Sequence, residues 1–220
     1  MAELNFEQAR FNMVEQQVRT WEVLNQDVLD LMMTIPREAF VPESYRHLAF
    51  ADIQIPLGCG QVMMSPKQEG RLLQALALQD TDRVLEIGTG SGYLTALLAH
   101  SVNHVDTVEY HAELAEKATA CLKAQNIRNV NQDVGNGLHG YHSDQRYDAI
   151  VLTGSVPSIP AHFQNQLEIG GRLLAIVGHA PIMEACLIQR ISEIEWIEDS
   201  LCELFVPALI GAPKANGFVF

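Results

Sequence analysis

The hydrophobic pattern of the chain changes once, near Asp82. Before that point apolar residues recur at helical steps. Phe6, Phe11, Val14 and Val18 give "FEQARFNMVEQQV" a rough amphipathic face. "NQDVLDLMMTIP" opens on Asn25 as an N-cap, has Asp27 in its first turn and stops before Pro36. Glycines and prolines crowd Pro56 to Pro66, which predicts a loop. Ser65 stands before Pro66, with Gln68 three residues on. That is a capping-box pattern with proline at the first helical position, and it opens a helix over "PKQEGRLLQALAL".

From Asp82 strands and helices alternate. "RVLEI" is a short apolar strand, "GTGSG" a glycine turn and "YLTALLAH" a helix. "HVDTVE" is the next strand and "HAELAEKATACLKAQ" the next helix; "YDAIVLTG" follows as a strand, and "GGRLLAIVG" as another after a short helix. This alternation predicts a mostly parallel, doubly wound α/β sheet with "RVLEI" central, between "HVDTVE" and "AIVLTG". "EACLIQRISEIEWI" and "ELFVPALI" predict further strands, antiparallel at one edge. No internal repeat, low-complexity tract or long linker interrupts the chain.

Composition narrows the class. A chain of 220 residues with 48% hydrophobic residues supports one sizeable core. A formal net charge of -13 argues against a general grip on nucleic acid, which needs a basic face. Lys67 and Arg71, one helical turn apart, read as a solvated face. Cys59, Cys121, Cys186 and Cys202 lack CxxC spacing, so zinc or a redox dithiol is not expected and free thiols in a reducing compartment are. The scattered histidines, His139 and His142 included, give no metal site. The N-terminus shows no basic segment leading into an apolar run, and no apolar stretch reaches 18 residues, so a cytoplasmic location without membrane contact is expected.

The candidate chemistry lies in "VLEIGTGSGY". Gly88, Gly90 and Gly92, with Thr89 and Ser91 between them, follow a strand directly and open a helix. Glycines allow a tight turn and close approach of backbone to ligand. Glu109, at the end of the next strand with Tyr110 beside it, can accept two hydrogen bonds from a ribose diol. The spacing is GxGxG rather than the dinucleotide GxGxxG. Glu86, just ahead of the turn, suits a ligand with positive charge, such as the ammonium and sulfonium of S-adenosyl-L-methionine, and would repel a pyrophosphate. S-adenosyl-L-methionine is therefore the expected cofactor.

Together "IPREAFVP", "IPLGCGQ", "VLEIGTGSGYLTALLA", "DTVEY", "GNGLHGY", "YDAIVLTGSVPSIP", "QLEIGGRLLAIVG" and "ELFVP" resemble the protein-L-isoaspartate O-methyltransferase family, from about Ile35 to Pro207. The resemblance implies a Rossmann-like S-adenosylmethionine-dependent methyltransferase sandwich with an N-terminal helical addition. The chain then reads as a single domain, with a helical and acceptor-loop part over 1–80 and a cofactor-binding part over 81–220. The implied reaction is methyl transfer to the α-carboxylate of an L-isoaspartyl residue, the first step of protein repair, and the implied acceptor is an isoaspartyl peptide or protein, or a small-molecule carboxylate. Such chemistry needs no catalytic triad. A carboxylate is already ionised at pH 7, and alignment of oxygen, methyl carbon and sulfur can supply roughly 7–11 kcal/mol.

The sequence departs from the family in three places. Where the family carries "GQTISQP", with Thr and Ser holding the isoaspartyl carboxylate, this chain reads "GQVMMSP". Val62 then replaces the threonine and Met64 the serine, and Ser65 is the remaining hydroxyl. The acceptor residues expected are Val62, Met64 and Ser65. The family's "GDG" loop, whose Asp addresses the adenine amine, appears as Gly135-Asn136-Gly137, so Asn136 and Gly137 join the cofactor residues with an uncharged acceptor. Thr153 and Ser155 bring hydroxyls to a segment where the family prefers alanines, and are expected near the ligand crevice. Two alternatives stay open: a methyltransferase for a less polar acceptor, and a non-catalytic module that binds S-adenosylmethionine or S-adenosylhomocysteine.

Overall fold

The structure, a computed structural model, describes residues 5–142 and 144–213. Its N-terminal part is helical, as the apolar spacing predicts. Helix α1 (Phe6–Met13) runs on through a π turn (Val14–Val18) and a 3-10 turn (Arg19–Trp21). Helix α2 (Gln26–Thr34) starts where Asn25 Oδ1 accepts from the Asp27 and Val28 backbone N–H groups. The stretch expected as a loop is instead an antiparallel hairpin, β1 (Ile55–Gly58) and β2 (Gln61–Met63). Gly58, Cys59 and Gly60 all have positive φ, and this lets the chain reverse in so short a span. Helix α3 (Pro66–Leu76) follows, with the Ser65 backbone N–H donating to Gln68 Oε1 at 3.0 Å.

The second part is β3 (Arg83–Ile87), α4 (Tyr93–Ser101), β4 (His104–Glu109), α5 (Ala112–Ala124), β5 (Val130–Val134), β6 (Tyr147–Val156), α6 (Ala161–Asn165), β7 (Leu167–His179), β8 (Ile182–Arg190) and β9 (Trp196–Glu203). The last seven strands form one sheet in the order β5-β4-β3-β6-β7-β8-β9. It is parallel from β5 to β7 and antiparallel at β8 and β9. β3 lies between β4 and β6 as expected, and four of its five residues are buried, as covered parallel strands require. β5 escaped the sequence pattern because it is an edge strand of polar composition, "VNQDV". "ELFVPALI" is not a strand. β9 ends at Glu203, Pro207 lacks an N–H for a ladder, and the tail meets the sheet only through a bridge between Ala208 and Ser155. It lies across the end of β6, where Ser155 N–H donates to Pro207 O and Leu209 N–H to Ser155 O, both at 3.0 Å.

One apolar cluster extends from Met13 in the first helices to Val206 in the tail. At its centre is a charged side chain, Arg37, with no solvent exposure. Its Nε donates to Ala49 O at 2.8 Å, its Nη2 to Met64 O at 2.6 Å, and its Nη1 pairs with the carboxylate of Glu69. The guanidinium carbon lies 4.9 Å from the centre of the Tyr93 ring. The N-terminal addition, the hairpin, α3 and α4 therefore meet on one residue. Lys67 and Arg71 do not make a basic patch, since Asp52 and Glu22 neutralise them at 2.6 and 2.9 Å.

Removing one member of a buried pair leaves an uncompensated charge, at a cost of about 3–5 kcal/mol. Arg37→Met is expected to lose that much in urea unfolding. Arg37→Met combined with Glu69→Leu is expected to recover most of it, and equal losses in the single and double variants would contradict the pairing.

Candidate active site

At the C-terminal ends of β3, β4 and β6 the sheet opens into a cleft roofed by the β1–β2 hairpin and the 206–210 tail. Open α/β sheets bind ligands at this end. One side is built largely from glycine backbone. Gly88 has φ +100°, and a Cβ there would fall 2.2 Å from Thr153 Oγ1, which itself bonds Gly88 O at 2.6 Å. Gly137 approaches β3 so closely that a Cβ would lie 2.7 Å from Ile87 Cδ1. Gly90 has φ +56° and its N–H donates to Glu109 Oε2 at 2.9 Å.

Glu109 is the polar anchor of this side. Its other oxygen, Oε1, accepts from the His111 N–H at 2.9 Å. Each carboxylate oxygen keeps a lone pair after its backbone bond, so the group can still take two ligand hydroxyls. It is buried, lines the cleft and stands beside the half-exposed ring of Tyr110. Asn136 also lines the cleft; its Oδ1 accepts from Leu138 N–H at 3.1 Å and has one lone pair left. Thr89, whose hydroxyl lies 2.7 Å from that of Thr107, and Ser91 complete the turn. Carboxylate, glycine backbone and amide oxygen in one cleft suit a nucleoside bound by its ribose diol.

The opposite side is the hairpin. Val62 and Met64 face the same cleft, with Leu94 and Glu69 behind them. The structure thus gathers Val62, Met64, Gly88, Thr89, Gly90, Ser91, Glu109, Tyr110, Asn136 and Gly137 around one space. Four expected residues stand off it. Glu86 has no solvent exposure and turns into the sheet, where its Oε2 accepts from Thr95 Oγ1 at 2.5 Å and Thr107 Oγ1 at 2.7 Å. Ser65 is buried at the N-cap of α3 and does not line the cleft, and its Oγ has no hydrogen bond among the described residues. Gly92, in left-handed conformation at φ +82°, serves as N-cap of α4 and packs on Ala118. Ser155 is buried under the tail that bridges to it, so of these two residues Thr153 alone brings its hydroxyl to the crevice.

Sequence reasoning missed Glu69 and the tail residues Val206, Leu209 and Ile210, which also line the cleft. Glu69 gave one overlooked signal, an acid in the otherwise apolar buried face of α3. The tail gave none, since its apolar run reads as strand. Among the described residues no cluster of His, Cys, Asp and Glu converges to hold a metal ion.

A glycine turn with a carboxylate after the next strand, on a sheet of this order, defines a nucleoside-binding Rossmann-like enzyme of the methyltransferase type. The comparisons narrow the class. The sequence profile described as protein-L-isoaspartate(D-aspartate) O-methyltransferase matches residues 8–211. Protein-L-isoaspartate O-methyltransferase 1 of Geotalea uraniireducens is 41% identical over 187 residues, covering 84% of this chain and 85% of its own. Protein-L-isoaspartate O-methyltransferase of Cronobacter sakazakii is 39% identical over 162 residues, covering 74% and 78%. A solved protein-L-isoaspartate O-methyltransferase superposes with TM-score 0.78 at 23% identity, over 90% of this chain and 65% of that one. A Plasmodium falciparum structure in complex with S-adenosyl-L-homocysteine superposes with TM-score 0.79 at 19% identity, over 94% and 99%. The chain belongs to the protein-L-isoaspartate O-methyltransferase family.

Burial raises the Glu86 carboxyl to about 7, against the lowering effect of its two threonine donors and with added repulsion from Glu109 and Glu69. Between the ordinary carboxylate range and about 7 the folded chain keeps a proton that the unfolded chain has released. Stability therefore falls as pH rises through that window. Glu86→Gln is expected to flatten the decline in Tm between pH 5 and 8, the remainder belonging to Glu69, which burial also raises to about 7. An unchanged slope in that variant would clear Glu86 of the effect.

Proposed function

We propose that this chain transfers the methyl group of S-adenosyl-L-methionine to the free α-carboxylate of an isoaspartyl residue in a peptide or protein. The observation that carries the proposal is the placement of Glu109 and the Gly88–Gly90 turn in the same cleft as the β1–β2 hairpin. Family membership supports the reaction. When bound, the cofactor supplies an electrophilic methyl on a positively charged sulfur. Glu109 holds the ribose diol, and Asn136 takes a hydrogen bond from the base. Gly88 and Gly137 stand where a Cβ would collide with Thr153 or Ile87, and Gly90 takes the left-handed conformation that the turn requires. The hairpin closes the other side, so that the acceptor oxygen meets the methyl carbon along the sulfur–carbon axis. No base is required, because the acceptor carboxylate is already ionised at neutral pH. Val62 and Met64 exclude water from that oxygen, which raises its reactivity but offers it no hydrogen bond.

A second reading has a specific observation in its favour. Val62, Met63 and Met64 bring apolar side chains to the cleft beside Gln61, which suits an acceptor less polar than a carboxylate. Each hydrogen bond to a charged group is worth about 1.5–3 kcal/mol, or about 10- to 150-fold in rate where it acts on the transition state. Isoaspartyl peptide is expected to be methylated slowly by the natural chain, with release of labelled methanol in base. Val62→Thr with Met64→Ser is expected to raise that rate by at least one such factor at saturating cofactor. Label that enters another acceptor and never a base-labile ester would favour the second reading; a fast natural chain unimproved by the double change would refute the role given to both residues.

A further inference from the structure

Among the described residues Glu69 is the one acidic side chain on the hairpin side of the cleft, and nothing in the proposed reaction uses it. It sits in the first turns of α3, is 2% exposed and lines the cleft. Its Oε2 is taken by Arg37 Nη1, while no hydrogen bond reaches Oε1 among the described residues. The other two nitrogens of Arg37 donate to the carbonyls of Ala49 and Met64, and the residue does not itself line the cleft. Its charge is thus matched by Glu69 and unavailable to an acceptor. Met64 O and Glu69 Oε2 bind adjacent nitrogens of one guanidinium, so position 64 of the hairpin and the Glu69 carboxylate are close neighbours.

These facts constrain the acceptor. A carboxylate brought against Met64 meets no hydroxyl from position 62 or 64, finds the nearby arginine already paired and is repelled by the unbonded Oε1 of Glu69, with the Gln61 amide as the one polar side chain that β2 adds to the cleft. The walls around it, Val62, Met64 and Leu94, are apolar, and a low-dielectric setting strengthens that repulsion. An acceptor that carries its own cation one carbon away from the carboxylate removes the conflict, because its cation faces Glu69. Among isoaspartyl residues only one at a free peptide N-terminus has this form, with an ammonium and the α-carboxylate on the same carbon. Burial raises the Glu69 carboxyl to about 7, against the pull of Arg37, and a cation at Oε1 would favour its ionised form. The net charge of -13 adds a long-range preference for acceptors with positive charge.

We propose that Glu69 is a specificity-determining residue that pairs with an ammonium group on the acceptor, so that the site takes an isoaspartyl residue at a free peptide N-terminus in preference to one inside a chain. This rests on the isoaspartyl reading above. It leaves the methyl-transfer step unchanged and assigns Glu69 to selection.

The test uses one peptide sequence with three beginnings: isoaspartyl with a free amine, the same residue N-acetylated, and succinyl, which keeps carboxylate and chain but has no nitrogen. Dissociation constants are measured on the full chain saturated with S-adenosylhomocysteine, and kcat/KM for methyl ester formation is measured beside them. The free-amine peptide is expected to bind about tenfold or more tightly than either of the others, as a buried charge pair warrants. In Glu69→Gln, where a carbonyl still accepts from Arg37 but the charge is gone, the three affinities should converge. Equal affinities in the natural chain, or a preference that survives in Glu69→Gln, would overturn the proposal. The succinyl peptide separates charge from the bulk of the acetyl group without any variant, so the natural chain decides the matter even if Glu69→Gln fails to fold. Methyl ester on none of the three would refute the isoaspartyl reading, while the binding ratio would still judge Glu69.

Discussion

The guanidinium of Arg37 holds the site together. A buried cation is tolerated only where its donors are satisfied and its charge is met. Here Ala49 O, Met64 O and Glu69 meet those demands from three separate segments, and the Tyr93 ring of α4 covers the group. The N-terminal addition is thereby tied to the sandwich by a charged contact within their shared apolar cluster, and the end of the hairpin is held by the backbone of Met64, which lines the cleft. The position of Met64 therefore does not depend on its own side chain. Substitution at 62 and 64 changes the chemistry offered to an acceptor while Arg37 keeps the loop in place.

The two sides of the cleft are built on different principles. The cofactor side relies on close approach of backbone, with Gly88 and Gly137 at positions where a methyl group would collide with Thr153 or Ile87. Its one anion, Glu109, is oriented by the Gly90 and His111 N–H groups and so is fixed before any ligand arrives. The acceptor side relies on side chains mounted on a short hairpin. A loop of that kind can exchange hydroxyls for apolar groups without disturbing the strands beneath.

The sequence made the strands from "RVLEI" to "GGRLLAIVG" legible because buried parallel strands are continuous apolar runs, and the glycine turn because its spacing follows from backbone geometry. It misled where composition and context diverge. β5 is polar because it lies at an edge, and "ELFVPALI" is apolar because it covers the cleft rather than because it pairs. Glu86 looked like a ligand for a cation from its place beside the turn. The pleat sends it the other way, into Thr95 and Thr107, a fact that one position of register decides. Glu69 stayed hidden because an acid at that position of α3 reads as a helix-start residue until Arg37, 32 positions away, is brought against it.

The central claim is that a nucleoside cofactor is held at the Gly88–Gly90 turn by Glu109, opposite the hairpin. Calorimetric titration of S-adenosylhomocysteine into the natural chain and into Glu109→Ala tests it most directly. Two hydrogen bonds from a ribose diol to a carboxylate predict at least a tenfold loss of affinity, or about 1.4 kcal/mol, in the variant. Equal affinity in the two proteins, or no binding to the natural chain, would contradict it.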